Sequence, residues 1–263
     1  MSSTTQMRKA GLSAILGIAL LHGASAAQEI RVAAAADLES AFDDVGAQFK
    51  KMSGIDVRLT YGSSGDFFHQ IESGAPFDMF FSANLEYAKR LESDGLALPG
   101  SFYEYARGKI VLWSRKEAKV ELGSGIPVLL SSSIKRIAIA NPQHAPYGQA
   151  AVAALKKENI YNQVENKLVF GENISQTASF VLSGAADVGI VALSLARSPN
   201  MRDKGYYVVI PAADYPPIEQ ACVILSSSRS REAANRFLDF IRTPEIASLL
   251  RGYGFDVADH NTR

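Results

Sequence analysis

The chain has 263 residues, 47% of them hydrophobic and 21% charged, and its 27 lysines and arginines balance 27 aspartates and glutamates. This is a globular composition, which excludes the disordered, fibrous and membrane-filling classes. A formal charge of zero, with no run of five like charges, argues against a partner held by its phosphate backbone, so no nucleic acid is expected.

In chain order, the first feature is a leader. Arg8 and Lys9 form a short cationic start, Ala10 to Leu21 is an apolar stretch too short to span a bilayer, and Ala24-Ser25-Ala26 offers small residues to a signal peptidase. Residues 1–27 therefore read as a secretory signal, cleaved after Ala26 or Ala27. The alternative of an uncleaved anchor helix is disfavoured because Gln28 to Arg31 turns polar without lengthening the apolar run. The remaining 236 residues lose two cations and no anions, which leaves 25 basic against 27 acidic residues. The single cysteine, Cys222, lies in the apolar run Ala221 to Leu225, cannot form an intramolecular disulfide and reads as a small buried residue. An exported chain without disulfides must rest on its own core, which this length supplies as two lobes.

Short β-branched runs then alternate with helical patterns, the signature of an α/β fold with mainly parallel sheets. Ile30 to Ala35 reads as a buried strand. Leu38, Phe42, Val45 and Phe49 follow at helical spacing and end near Gly54. Val57 to Tyr61 is the next strand, Gly62-Ser63-Ser64-Gly65 leads into a helix carrying Phe67, Phe68 and Ile71, and Phe77 to Phe81 is a third strand. Asn84 is positioned to cap a helix through Leu91. A second series has strands at Lys109 to Ser114, Arg136 to Ala140, Leu168 to Phe170 and Val188 to Ala192, with helices over Tyr147 to Asn159 and Ile174 to Leu182. Gln220 to Ser226 as a strand, with helices over Arg231 to Arg242 and Glu245 to Arg251, can complete either lobe.

Four places set small or backbone-exposing residues where a strand hands over to a helix: Ala35-Ala36-Asp37-Leu38, Gly62 to Gly65, Asn141 to Gly148, and Asn173-Ile174-Ser175-Gln176. A helix N-terminus presents unpaired N–H groups and about half a positive charge, so several converging termini make a neutral cavity that binds an anion. Pro146 fixes the backbone before Tyr147 and leaves the Tyr147 amide free to face a ligand. Taken singly, each has a plainer reading, since Ser64 and Asn173 are also ordinary N-cap residues, and Asn173 with Gln176 fits a capping-box variant. Catalytic alternatives are thin. There is no Gly-x-Ser-x-Gly elbow, Walker loop, His-Glu-x-x-His or paired-cysteine metal site. Among the four histidines, only His144 lies near a candidate loop, and a Ser64–His144 nucleophile and base pair lacks a third orienting group.

The runs Ala33 to Leu38, Tyr61 to Gly65, Gly74-Ala75-Pro76-Phe77-Asp78, Phe80-Phe81-Ser82-Ala83, Asn141-Pro142 with Ala145-Pro146-Tyr147-Gly148, and Gly184 to Gly189 together resemble the periplasmic molybdate-binding protein family of ABC importers, in order and spacing, over nearly all of the chain after the leader. The resemblance implies a two-lobed type II periplasmic solute-binding fold, with mixed, mainly parallel sheets flanked by helices and the ligand in the cleft. It places residues 28–107 and 217–263 in one lobe and 108–216 in the other. Carried over, the family's oxyanion positions fall on Ala36, Asp37, Ser64, Tyr147 and Ile174. It also implies a periplasmic monomer with no catalytic residue and no cofactor, binding molybdate or tungstate for an inner-membrane ABC permease, and holding molybdenum only as its oxyanion with no direct ligand to the metal. Selection against sulfate would rest on cavity size, and closure of the lobes would create the surface the permease reads.

Two positions depart from the family's pattern. Asp37 stands where a neutral hydroxyl or amide residue is usual, and an ionised carboxylate about 5 Å from a dianion is repelled by roughly 6 to 7 kcal/mol at an effective dielectric near 20. Its side chain is expected to turn outward and cap the helix beginning at Leu38; the other readings are that it is protonated, or accepts a proton from a hydrogen oxyanion such as phosphate. Ala192 replaces a tyrosine that reaches the anion in some members, so another donor is needed, with Ser63 or the Tyr147 side chain as candidates. Phosphate or sulfate binding is the alternative function within this class, and a secreted serine hydrolase using Ser64 the alternative outside it.

Overall fold

The computed structural model describes residues 29–258. The expected secretory leader lies outside those residues, as does the polar tail with His260.

The first lobe begins with β1 (Glu29–Ala35), a single 3-10 turn over Ala36–Leu38, α1 (Glu39–Ser53), β2 (Asp56–Gly62), α2 (Ser64–Glu72), β3 (Met79–Ser82), α3 (Leu85–Ser93) and β4 (Tyr103–Gly108). Lys109 alone separates β4 from β5 (Ile110–Arg115) in the second lobe, which continues with β6 (Ile137–Ala140), α4 (Pro146–Lys157), α5 (Tyr161–Val164), β7 (Leu168–Gly171), α6 (Ile174–Ser183), β8 (Val188–Ala192), α7 (Leu193–Ala196) and β9 (Gly205–Val209). Residues 210–217 cross back to β10 (Ile218–Ile224), α8 (Arg231–Ile241) and α9 (Pro244–Tyr253).

The sheets are ordered β2-β1-β3-β10-β4 and β7-β6-β8-β5-β9. In the first, β1 pairs in parallel with β2 and β3, whereas β10 is antiparallel to both β3 and β4, so only β10 runs against the rest. The second repeats the plan with β5 as the reversed strand. Two strands at the crossovers, β4 and β9, were not among the expected elements.

Period-two alternation distributes the core. Ile30, Val32 and Ala34 of β1 join Met79, Phe81, Cys222 and Ile224 on the face covered by α1, α8 and α9, while Ala33, Phe80, Ala221 and Val223 join Phe67, Phe68 and Leu91 on the opposite face. A strand buried on both faces reads as an unbroken apolar run, which is why these strands are conspicuous in the sequence. Phe42 and Phe81 meet edge to face at 4.8 Å and tie α1 to the sheet. The helix ends are locally encoded. Gly54 and Gly184 take φ of +74° and +82° after α1 and α6, and Asn84 and Asn173 accept hydrogen bonds from the Glu86 and Gln176 amides at 2.9 Å. Among the described residues no helix is long and apolar enough to cross a membrane.

Candidate anion site between the lobes

The parallel strands β1, β2, β6 and β7 all end at the cleft, where α/β sheets gather ligand loops. Ala36, Asp37, Ser63, Ser64, Tyr147 and Ile174, assembled from both lobes, line one narrow cleft with a cavity of only about 10 Å³, and among the described residues its lining includes no lysine or arginine. The amides of Ser64, Tyr147 and Ile174 fall in the first turn of α2, α4 and α6, where an N–H has no partner within its own helix. Ser64 is not a cap, since it is the first residue of α2. Its buried Oγ accepts the Ala83 amide at 2.9 Å, which leaves the hydroxyl proton available to a ligand. A wider hollow between β4 and α9, lined by Glu104, Arg107, Arg251 and Asp256, collects no helix N-terminus.

The lobes touch across the cleft. The Gly65 amide donates to the His144 carbonyl at 3.0 Å, the Ser63 hydroxyl donates to the same oxygen, and the Ser175 hydroxyl donates to Glu39. His144 Nδ1 and Asp66 lie 3.1 Å apart but out of line for a hydrogen bond. Ser194 Oγ, at the start of α7, donates to the Asp37 carbonyl at 2.7 Å.

The Asp37 side chain does not turn outward. Leu38, the residue before α1, is accompanied by no side-chain cap, and Asp37 is only 1% exposed. Its Oδ2 accepts from the Tyr147 hydroxyl at 2.8 Å and from Gln220 Nε2 at 2.7 Å. Gln220 also donates to the Tyr147 oxygen at 3.1 Å, and its own Oε1 accepts from the Tyr105 hydroxyl at 2.8 Å. Two buried donors, from α4 and β10, outcompete the N-terminus of α1, and that is the physical reason the capping expectation fails. Burial pushes the Asp37 carboxyl up to about 6, although the bonds from Gln220 and Tyr147 pull it down. The Tyr147 hydroxyl is driven well above its ordinary range by burial and by Asp37 beside it.

Residues 30–256 match the family profile of the bacterial extracellular solute-binding proteins. The chain belongs to that family. This solute-binding protein is 37% identical over 258 residues to the molybdate-binding protein ModA of Rhodobacter capsulatus, covering 97% of this chain and 99% of the relative. It is 37% identical over 240 residues to the protein of the same name from Azotobacter vinelandii, at 91% and 94% coverage. The solved structure of the Azotobacter vinelandii periplasmic molybdate-binding protein aligns with a TM-score of 0.81 at 33% identity, over 88% of this chain and all of that one. At that likeness the chain is a member of the molybdate-binding proteins, and it is a binding protein rather than an enzyme.

Within this solute-binding protein, two expected spare donors are already committed. The Ser63 hydroxyl is directed at His144 and the Tyr147 hydroxyl at Asp37, so neither replaces the tyrosine absent at Ala192. Nor does Ser64 bond to His144, whose ring faces Asp66, so the nucleophile and base pair is not formed. Gln220 and Ser194 are the residues that sequence reasoning missed. The available signal was Gln220 itself, a polar amide directly before the apolar run Ala221 to Ile224 and fully buried in β10.

Proposed function

We propose that this protein captures molybdate, and tungstate equally, in the periplasm after loss of its N-terminal leader, and delivers the anion to the permease of an ABC importer in the inner membrane. It works as a monomer and needs no cofactor. The observation that carries this reading is the meeting of three helix N-termini and the first-loop backbone in a cleft without a cation, with the Ser64 hydroxyl proton uncommitted. A tetrahedral dianion offers only acceptors, and a shell of neutral donors at Ala36, Asp37, Ser64, Tyr147 and Ile174 satisfies it while the lobes exclude water. The names of the relatives point to the same ligand.

Titration of the anion-free protein by calorimetry at neutral pH is expected to give one-to-one binding of molybdate and of tungstate, with sulfate and phosphate at least about 100-fold weaker, a gap of roughly 2.7 kcal/mol. Preference for phosphate would redirect the site to protonated oxyanions.

A further inference from the structure

We propose that Asp37 meets the bound anion as a carboxylic acid, so that the protein takes up one proton at Asp37 Oδ1 for each dianion it captures; this rests on reading the cleft as an oxyanion site. The two carboxylate oxygens have different surroundings. Oδ2 holds both side-chain donors, from Tyr147 and Gln220, whereas Oδ1 is buried with no hydrogen-bond partner among the described residues, on a residue that lines the cleft. Gln220 has no proton left for Oδ1, because its two amide N–H groups go to Asp37 Oδ2 and to the Tyr147 oxygen. Rotating Asp37 outward would strip the buried Tyr147 hydroxyl of its acceptor and Gln220 Nε2 of one of its two. A bare Oδ1 repels a dianion, and among the described residues no lysine or arginine lines the cleft to compensate. Protonation turns the same atom into an O–H donor, matching the donors around it, while Oδ2 keeps its two hydrogen bonds. The proton comes from solvent and resides on Oδ1, and no other bond changes.

Burial already places this carboxyl at about 6, and a dianion beside it pushes the value higher. The sign follows by linkage. The anion-bound state holds the proton more tightly than the free state, so affinity is greatest and level below about pH 6 and falls as pH rises above it, about tenfold per unit until the bound-state value is passed. The groups facing Asp37 from its neighbouring elements are Tyr147 of α4, Tyr105 of β4 and Gln220 of β10; Glu39 of α1 is held by Ser175, and Tyr215 by its bond to the Ile110 amide. His144, before α4, faces Asp66.

The test is calorimetry of molybdate binding from pH 6 to 8.5, in paired buffers of different ionisation enthalpy, on the wild type and on Asp37→Asn. The wild type is expected to take up close to one proton per molybdate at pH 8 and to lose about tenfold in affinity per pH unit above 6.5. Asp37→Asn keeps an acceptor for Tyr147 and Gln220 and places an amide donor where Oδ1 stands. It is expected to bind without proton uptake, with a flat profile, and at least about tenfold more tightly than the wild type at pH 8. Asp37→Ser, a smaller neutral residue, gives the same flat profile and guards against a folding defect in the first variant. A slope that survives in both variants does not belong to Asp37 and overturns the proposal. A wild type already flat and without proton uptake overturns it too. If neither wild type nor variants bind molybdate, the oxyanion reading itself fails. If the wild type prefers hydrogen phosphate without proton uptake, the proton travels on the anion and Asp37 is an acceptor.

Discussion

Ser64→Trp is expected to abolish molybdate binding, with a loss of more than about 1000-fold, or roughly 4 kcal/mol. Ser64 opens α2 at the floor of the cleft and is 1% exposed, so an indole there cannot leave the cleft closed. It occupies the space of the anion and holds apart the loops that supply the other donors. Folding should largely survive, because most of the side chains in the three hydrophobic clusters come from the strands and from the helix faces packed on them, and the cleft loops add only a few, such as Ala36, Tyr147 and Ile174, to one cluster. The one internal bond lost is that from the Ala83 amide, which costs about 1 to 3 kcal/mol and lowers the melting temperature by several degrees. Calorimetry with molybdate and a thermal melt on the same sample check both halves. Micromolar affinity retained in this variant would sink the assignment of the pocket.

The second large effect is expected at Gly65. A Cβ on this residue would lie 2.6 Å from the carbonyl oxygen of His144, and its three nearest heavy atoms all belong to His144 in the opposite lobe. Gly65→Val therefore leaves the first lobe free to fold and obstructs only its approach to the second. It also strains the 3.0 Å bond from the Gly65 amide. Affinity for molybdate should fall about 100-fold, and X-ray scattering should show that saturating anion no longer contracts the molecule as it does the wild type. The contrast is Gly148, whose Cβ would lie 2.1 Å from the Ala140 carbonyl within its own lobe. Gly148→Ala should lower stability by about 1 to 3 kcal/mol through overpacking. Equal losses of melting temperature in Gly65→Val and Gly148→Ala would mean that the cleft is no independent interface.

What could be read from the sequence followed from local physics. Strands such as β1, β3 and β8 are buried on both faces and announce themselves as apolar runs, and the asparagine and glycine signals at Asn84, Asn173, Gly54 and Gly184 mark helix ends through their own backbone chemistry. The loops lining the cleft were legible for the same reason, as small residues placed between a strand and a helix. The crossover strands were not. β4 mixes exposed and buried positions around Arg107, and β9 is an edge strand that turns Tyr206 and Val209 to solvent, so neither shows a continuous apolar signature. The orientation of Asp37 was also hidden. It depends on Tyr147, 110 residues away, and Gln220, 183 residues away, and no local rule weighs a helix cap against donors that exist only once both lobes are assembled.

The interleaved path of the chain also sets an order of assembly. The second lobe is a single stretch, with every strand of its sheet between Ile110 and Val209. The sheet of the first lobe lacks the strand between β3 and β4 until residues 218–224 are present. A chain delivered N-terminus first, by a ribosome or through an export channel, therefore has all it needs for the later-made lobe before the earlier-made one can close its ladder, and that closure is a slow, long-range pairing. The half of the cleft that carries Asp37 and Ser64 is the first to be synthesised and the last to become rigid.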